Sequence, residues 1–93
     1  MTRDVDVWKQ ICAGDLNAFN AFYHAQAPRL HAFAKRMTGD VQAAEDIVQE
    51  TFTEFWKRPE RYDPELGTLR NWLFGISRKY IADWWRKRER ATA

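Results

Sequence analysis

The chain has 93 residues, 15 Lys+Arg against 13 Asp+Glu, and is 45% hydrophobic and 15% aromatic. That is one domain of chain, and five Trp, six Phe and three Tyr give it a core to bury, which excludes a disordered segment. Apolar runs such as Trp72-Leu73-Phe74 fall far short of the ~18 residues of a membrane span, and the acidic start from Met1 to Asp6 is no secretory leader. The single Cys12 cannot close an internal disulfide and suits a reducing compartment, so a cytoplasmic location without membrane contact is expected.

In chain order, a short first helix is expected around Val5–Cys12, closed by Gly14, with Asp15 as the N-cap of the next. From there Leu16, Phe19, Tyr23, Leu30, Phe33 and Met37 recur at helical spacing, and Pro28 is expected to kink or interrupt the run. Thr38-Gly39-Asp40 reads as a stop and restart, Gly39 closing one helix and Asp40 capping another. The third helix aligns Ala44, Ile47, Val48, Phe52 and Phe55 on one stripe and ends before Pro59. Residues 57–67 hold two Pro, a Gly and six charges, and read as a loop. Thr68 then caps a last helix carrying Leu69, Trp72, Leu73, Ile76, Tyr80 and Trp84 at spacings of three and four. Strand-like alternation is absent. The predicted fold is all-α: a compact bundle of three main helices plus a short N-terminal helix, one domain over residues 1–93.

Charge is segregated along this chain. Residues 40–56 carry five acids and no base, whereas residues 57–93 carry ten bases against five acids. A domain polarised in this way can offer one face to a basic partner and another to a polyanion. On the acidic helix, Asp46, Gln49, Glu50 and Thr53 fall three and four apart and form a polar ridge beside the apolar stripe. The pairs Asp46/Glu50 and Glu50/Glu54 repel, and a basic partner covering the ridge would relieve them. On the last helix, Arg78, Lys79, Arg86, Lys87, Arg88 and Arg90 are interleaved with Trp72, Phe74, Tyr80, Trp84 and Trp85. Cations for phosphates and aromatic faces for bases suit a single nucleic-acid strand, although a core stripe followed by a charged tail would read alike.

Nothing in the pattern suggests catalysis. His24 and His31 lie seven apart without supporting ligands, Ser77 and Cys12 have no histidine near them in sequence, and no Gly-rich phosphate loop occurs. No catalytic residue, metal or cofactor is expected, and a metal-binding bundle stands as a minor rival. A helix-turn-helix built on Thr38-Gly39-Asp40 fails on charge, because its second helix carries only acids towards a phosphate-lined groove.

Together these segments resemble the region 2 domain of an extracytoplasmic-function sigma factor, in the sigma-70 superfamily. The resemblance runs from about Asp15 to Arg90. It rests on Ala18–Tyr23 (AFNAFY), Ala44–Phe52 (AEDIVQETF) followed by Trp56, Tyr62-Asp63 in the loop, and Trp72–Arg78 (WLFGISR) leading to Asp83 and a basic tail. It implies a transcription-initiation domain without enzymatic activity. Its acidic helix would dock on the clamp coiled coil of the largest subunit of core RNA polymerase, through Asp46, Gln49 and Glu50 with Thr53 and Trp56 at the margin. The loop and last helix would melt the promoter −10 element and capture its single-stranded non-template strand, with an everted base in a loop pocket. That carries over to Tyr62, Asp63, Asn71, Trp72 and Lys79, with Arg78, Arg86 and Lys87 on phosphates. An anti-sigma factor is a further expected partner.

Two departures stand out. Lys79 occupies a position where many members have Asn; the resemblance sets it beside the pocket, which favours a base-reading role, with a contact to the strand's backbone as the alternative. The family's second domain, region 4, is not found in these residues, so the chain is expected to be an excised fragment. A helical adaptor whose basic aromatic helix binds an acidic protein is the alternative.

Overall fold

Helix boundaries fall where side chains can satisfy the exposed backbone groups of a helix end. The Asp15 carboxylate accepts the Ala18 N–H at 3.1 Å, Asp40 accepts the Ala43 N–H at 3.0 Å, and the Thr68 hydroxyl accepts the Asn71 N–H at 3.1 Å. Gly39 closes the second helix at φ 71°, with its N–H donating to the Lys35 carbonyl at 2.7 Å. A side chain there would meet the left-handed penalty of roughly 1–2 kcal/mol. The computed structural model describes residues 4–92, apart from the side chain of Thr92; residues 1–3 and Ala93 lie outside the described residues. These form α1 (Asp4–Cys12), α2 (Leu16–Thr38), α3 (Val41–Lys57) and α4 (Leu69–Thr92), with short 3-10 turns at Pro59–Arg61 and Pro64–Leu66 between α3 and α4. No strand occurs among the described residues.

Helices α2, α3 and α4 pack on one another around a core of Leu30, Val48, Phe52, Phe55, Leu69 and Leu73, which Ile11 of α1 completes. A second cluster of Ala34, Ala44, Ile47 and Ile81 continues it towards the other end of the bundle, where the two alanines bring α2 and α3 close. Every residue of the predicted α3 stripe is buried. Phe55 sits among Phe19, Phe22 and Trp72, with ring centroids at 6.0, 5.6 and 5.4 Å.

Three sequence expectations need correction. Pro28 does not interrupt α2, which runs unbroken from Leu16 to Thr38. Tyr23 on one side is packed on Phe52 at 4.7 Å and Leu30 on the other is fully buried, and these anchors outweigh the ~3 kcal/mol a mid-helix proline costs. The α2 stripe also reaches the surface at both ends, since Leu16 and Met37 are exposed, and on α4 the core gains Ile81 while Tyr80 and Trp84 stay half-buried.

Because Phe55 is fully buried at the meeting point of three helices, Phe55→Ala is expected to cost about 3–5 kcal/mol in urea unfolding. Loss of the half-buried helix cap in Asp40→Ala is expected to cost about 1 kcal/mol. A Phe55→Ala loss no greater than the cap loss would contradict this core.

Candidate nucleic-acid and protein interfaces

The connection between α3 and α4 is built around Tyr62. Its ring is buried, 4% exposed, and lies against Trp8 at 5.6 Å and Trp72 at 5.7 Å. Its hydroxyl donates to the Gly67 carbonyl at 2.7 Å, and burial pushes its pKa up. The Asp63 carboxylate accepts the Glu65 N–H at 2.9 Å and so starts the second turn. Gly67, at φ 145°, takes a conformation that side-chain-bearing residues avoid, and returns the chain to α4. The result is a pocket of ≈190 Å³ between loop and helix, lined by Arg61, Tyr62, Asp63, Leu66, Asn71 and Trp72 among others. It combines aromatic walls with a cation, a carboxylate and an amide, the mixture that holds a planar base by its face and reads it by its edge. Four predicted residues, Tyr62, Asp63, Asn71 and Trp72, are therefore brought together, with Tyr62 as a wall and support rather than an exposed stacking face.

Asn71 also lines a second depression, of ≈420 Å³, between α2 and α4. Arg29 and Arg36 of α2 and Arg70 and Arg78 of α4 surround it over the rings of Phe33 and Phe74, which meet at 5.3 Å. The Arg78 guanidinium lies 5.6 Å over the Phe33 ring. Sequence reasoning singled out Arg78 and missed the other three. The signal was present: Arg29, Phe33 and Arg36, like Arg70, Phe74 and Arg78, recur at one-turn spacing, which puts each trio on one helix face.

The remaining predicted cations lie elsewhere. Lys79 does not line the loop pocket; its ammonium pairs with Glu54 of α3 at 2.6 Å, and the Tyr80 hydroxyl donates to the same carboxylate oxygen at 2.6 Å. Burial pushes Glu54 up, but the hydrogen bonds from Lys79 and Tyr80 prevail and leave its pKa lowered. The bond to Glu54, with burial behind it, raises Tyr80 from 10.0 to about 12. Arg86 pairs with Asp83 on its own helix, and Lys87 is exposed. Trp84 and Trp85 pack edge to face at 4.9 Å, and the Trp85 indole donates to the Met37 carbonyl at 3.1 Å.

On α3, Asp46, Gln49, Glu50 and Thr53 are all exposed, as a ridge requires. Trp56 at its end is 38% exposed and leans on Phe19, centroids 4.8 Å apart. The expected unrelieved repulsion is softened in three places. Lys57 belongs to the last turn of the helix, Glu54 turns towards Lys79, and Asp46 accepts the Gln42 amide at 3.2 Å. Among the described residues no group of three or more His, Cys, Asp or Glu side chains is placed to hold a metal, and no helix is long and apolar enough to cross a membrane.

The fold and these surfaces define a small helical domain with an acidic ridge on α3 and a basic, aromatic groove between α2 and α4. The chain belongs to the Sigma-70 region 2 family, matched over residues 22–91, and within it to the extracytoplasmic-function sigma factors. It is 38% identical over 71 residues to the ECF RNA polymerase sigma factor SigL of Mycobacterium tuberculosis (strain ATCC 25618 / H37Rv), covering 76% of this chain and 40% of that protein. It is 28% identical over 93 residues to the ECF RNA polymerase sigma factor SigK of Mycobacterium sp. (strain KMS), covering 99% of this chain and 48% of that one. The chain thus spans less than half the length of these curated relatives. No solved structure matches it.

The Glu54 cluster makes the bundle sensitive to pH on two sides. Tyr80 has a folded pKa above its unfolded value, so its contribution is complete below 10.0 and is lost as pH rises towards about 12. Glu54 has a lowered one, so its contribution is present above 4.5 and is lost as pH falls through the folded value. In an alkaline absorbance titration, the difference between wild type and Tyr80→Phe is expected to show one tyrosine ionising at about 12. A difference curve centred at 10 would show that the Glu54 bond does not persist in solution.

Proposed function

We propose that the chain is the core-polymerase-binding and −10-binding module of a transcription-initiation sigma factor, working in the cytoplasm. The observation that carries this reading is that Asn71 lines both a base-sized pocket and an arginine-lined groove. A strand laid in the groove would meet guanidinium groups along its phosphates and could turn one base into the pocket between Asp63, Asn71 and the Trp72 ring. The ridge of Asp46, Gln49 and Glu50, with Thr53 and Trp56 at its end, supports docking on the clamp coiled coil of the polymerase's largest subunit. Promoter melting then amounts to differential binding: the pocket and groove hold the separated non-template strand and offer the paired duplex nothing equivalent. The residues bind and position; no step of bond making is assigned to them. An anti-sigma factor would act by covering either face.

Reversing the ridge charges in Asp46→Lys/Glu50→Lys is expected to weaken binding to the clamp coiled coil at least a hundredfold, about 2.7 kcal/mol, with helicity unchanged. Unaltered affinity in a pull-down would remove the ridge from the interface.

Single-stranded −10-like DNA is expected to bind better than duplex, in complex with core enzyme, with affinity falling steeply as salt rises. Every phosphate of a single strand that goes without its cation flattens the log–log salt slope by about 0.7, so Arg29→Ala/Arg36→Ala/Arg70→Ala should flatten it by about 2. If Arg86→Ala/Lys87→Ala flattens the slope and the triple variant does not, the strand runs along the C-terminal tail instead. Equal affinity for random duplex, or for an acidic peptide, would favour the adaptor reading.

A further inference from the structure

The first helix lies outside residues 22–91, the part of the chain matched to the family, and beyond completing the core through Ile11 it has no assigned role. It nevertheless reaches the loop connection at three points. The Trp8 indole N–H donates to the Pro59 carbonyl at 2.7 Å. The same ring meets Tyr62 edge to face at 5.6 Å, with an interplanar angle of 78°. One turn earlier, the Asp4 carboxylate accepts the Leu69 backbone N–H at 2.8 Å, satisfying an amide at the start of α4 that the helix itself cannot. Pro59 is where the connection leaves α3, Tyr62 lies inside it, and Leu69 is where it becomes α4. One short helix therefore grips the connection at its start, middle and end.

We infer that α1 is a specificity element of this domain, with Trp8 and Asp4 as positioning residues for the base pocket. The inference rests on the reading of that pocket as a base site. The pocket has two sides with different supports. Asn71 and Trp72 ride on α4, which is fixed by Leu69 and Leu73 in the core. Arg61, Asp63 and Leu66 ride on the turns, whose internal side-chain bonds run only from Asp63 to Glu65 and from Tyr62 to Gly67. Those bonds preserve the shape of the turns, and the Tyr62 ring rests them on Trp72 of α4. The Trp8 and Asp4 contacts hold that ring and the start of α4 in register, because both residues belong to one short helix that touches the turn side and the first residue of α4.

Base discrimination depends on this spacing far more than phosphate binding does. A hydrogen bond weakens steeply with misalignment, so a pocket whose walls drift apart loses its preference among bases. The arginine groove belongs to α2 and α4 and does not change with the position of the turns. Loosening α1 should therefore blunt the choice of base and leave the grip on the backbone intact, a signature that simple destabilisation does not produce.

The test measures binding of single-stranded −10-like oligonucleotides to the chain with core RNA polymerase, with each of the four bases in turn at every position. Trp8→Phe keeps a ring on Tyr62 and deletes only the donor to Pro59; Trp8→Ala deletes both; Asp4→Ala deletes the cap on Leu69, and Asp4→Asn retains an acceptor. The expected result is a best-to-worst base ratio reduced at least fivefold at one position in Trp8→Ala and Asp4→Ala. Trp8→Phe should fall between, and Asp4→Asn should restore most of the ratio. Affinity for an oligothymidine strand and the salt slope should stay within twofold of wild type. Amide hydrogen exchange should quicken across residues 60–69 and not in α2 or α3. If Trp8→Ala does not fold, Trp8→Phe and Asp4→Ala carry the comparison. A base ratio unchanged in these variants, or an equal loss for every oligonucleotide, would overturn the inference. A wild-type complex with no base preference anywhere would instead overturn the pocket reading on which it rests.

Discussion

Tyr62 is a connection residue that behaves as a core residue, and the whole upper part of the domain is arranged around that fact. Its ring is wedged between the indoles of Trp8 and Trp72, and its hydroxyl closes the connection on Gly67. Burying a tyrosine is favourable only if its hydroxyl keeps a partner, and here the partner is a carbonyl just before the chain turns into α4. One buried ring thus draws a polar, proline-containing segment down onto the bundle. The depression left beside it faces Asn71 and Trp72, so the pocket is a by-product of how the connection is packed.

The acids of α3 divide by the direction they face. Asp46 and Glu50 point outward with Gln49 and Thr53, whereas Glu54 turns inward to Lys79 and Tyr80 of α4. The same helix therefore supplies a solvent-facing ridge and a polar tie to its neighbour. The tie is worth something because its carboxylate is partly shielded and takes two donors; a fully exposed pair of the same residues would be worth ~0–1 kcal/mol.

The features legible in the sequence are the ones carried by short-range spacing. Asp15, Asp40 and Thr68 announce helix starts by type and position, and the α3 stripe from Ala44 to Phe55 announces its buried face. Arg29/Phe33/Arg36 and Arg70/Phe74/Arg78 were legible in the same way, but the longer basic run after Arg78 overshadows them. Pro28 misleads because local propensity is weighed there against anchors on either side, and the anchors are tertiary. The long-range side-chain contacts were not legible at all. Trp8 and Pro59 are 51 positions apart, Asp4 and Leu69 65, and Lys79 and Glu54 25, and no local pattern encodes such pairings.

The Glu54–Lys79 pair also bears on which way a bound strand would run. A phosphate approaching Lys79 meets an ammonium already neutralised by Glu54, with the exposed Glu50 one turn away on α3. Replacing the carboxylate partner with a phosphate gains little, because the ion pair is broken in the exchange and the displaced acid remains nearby. In the groove between α2 and α4 the balance is different. Arg29, Arg36, Arg70 and Arg78 line it, and no carboxylate is among its lining residues, so each phosphate placed there gains a new charge-assisted bond and releases counterions. Under the proposed function the backbone is therefore drawn to the arginine side of α4, and Lys79, on the side facing α3, holds the two helices together instead. That arrangement puts Asn71, at the junction of groove and pocket, in the position from which a base can leave the strand.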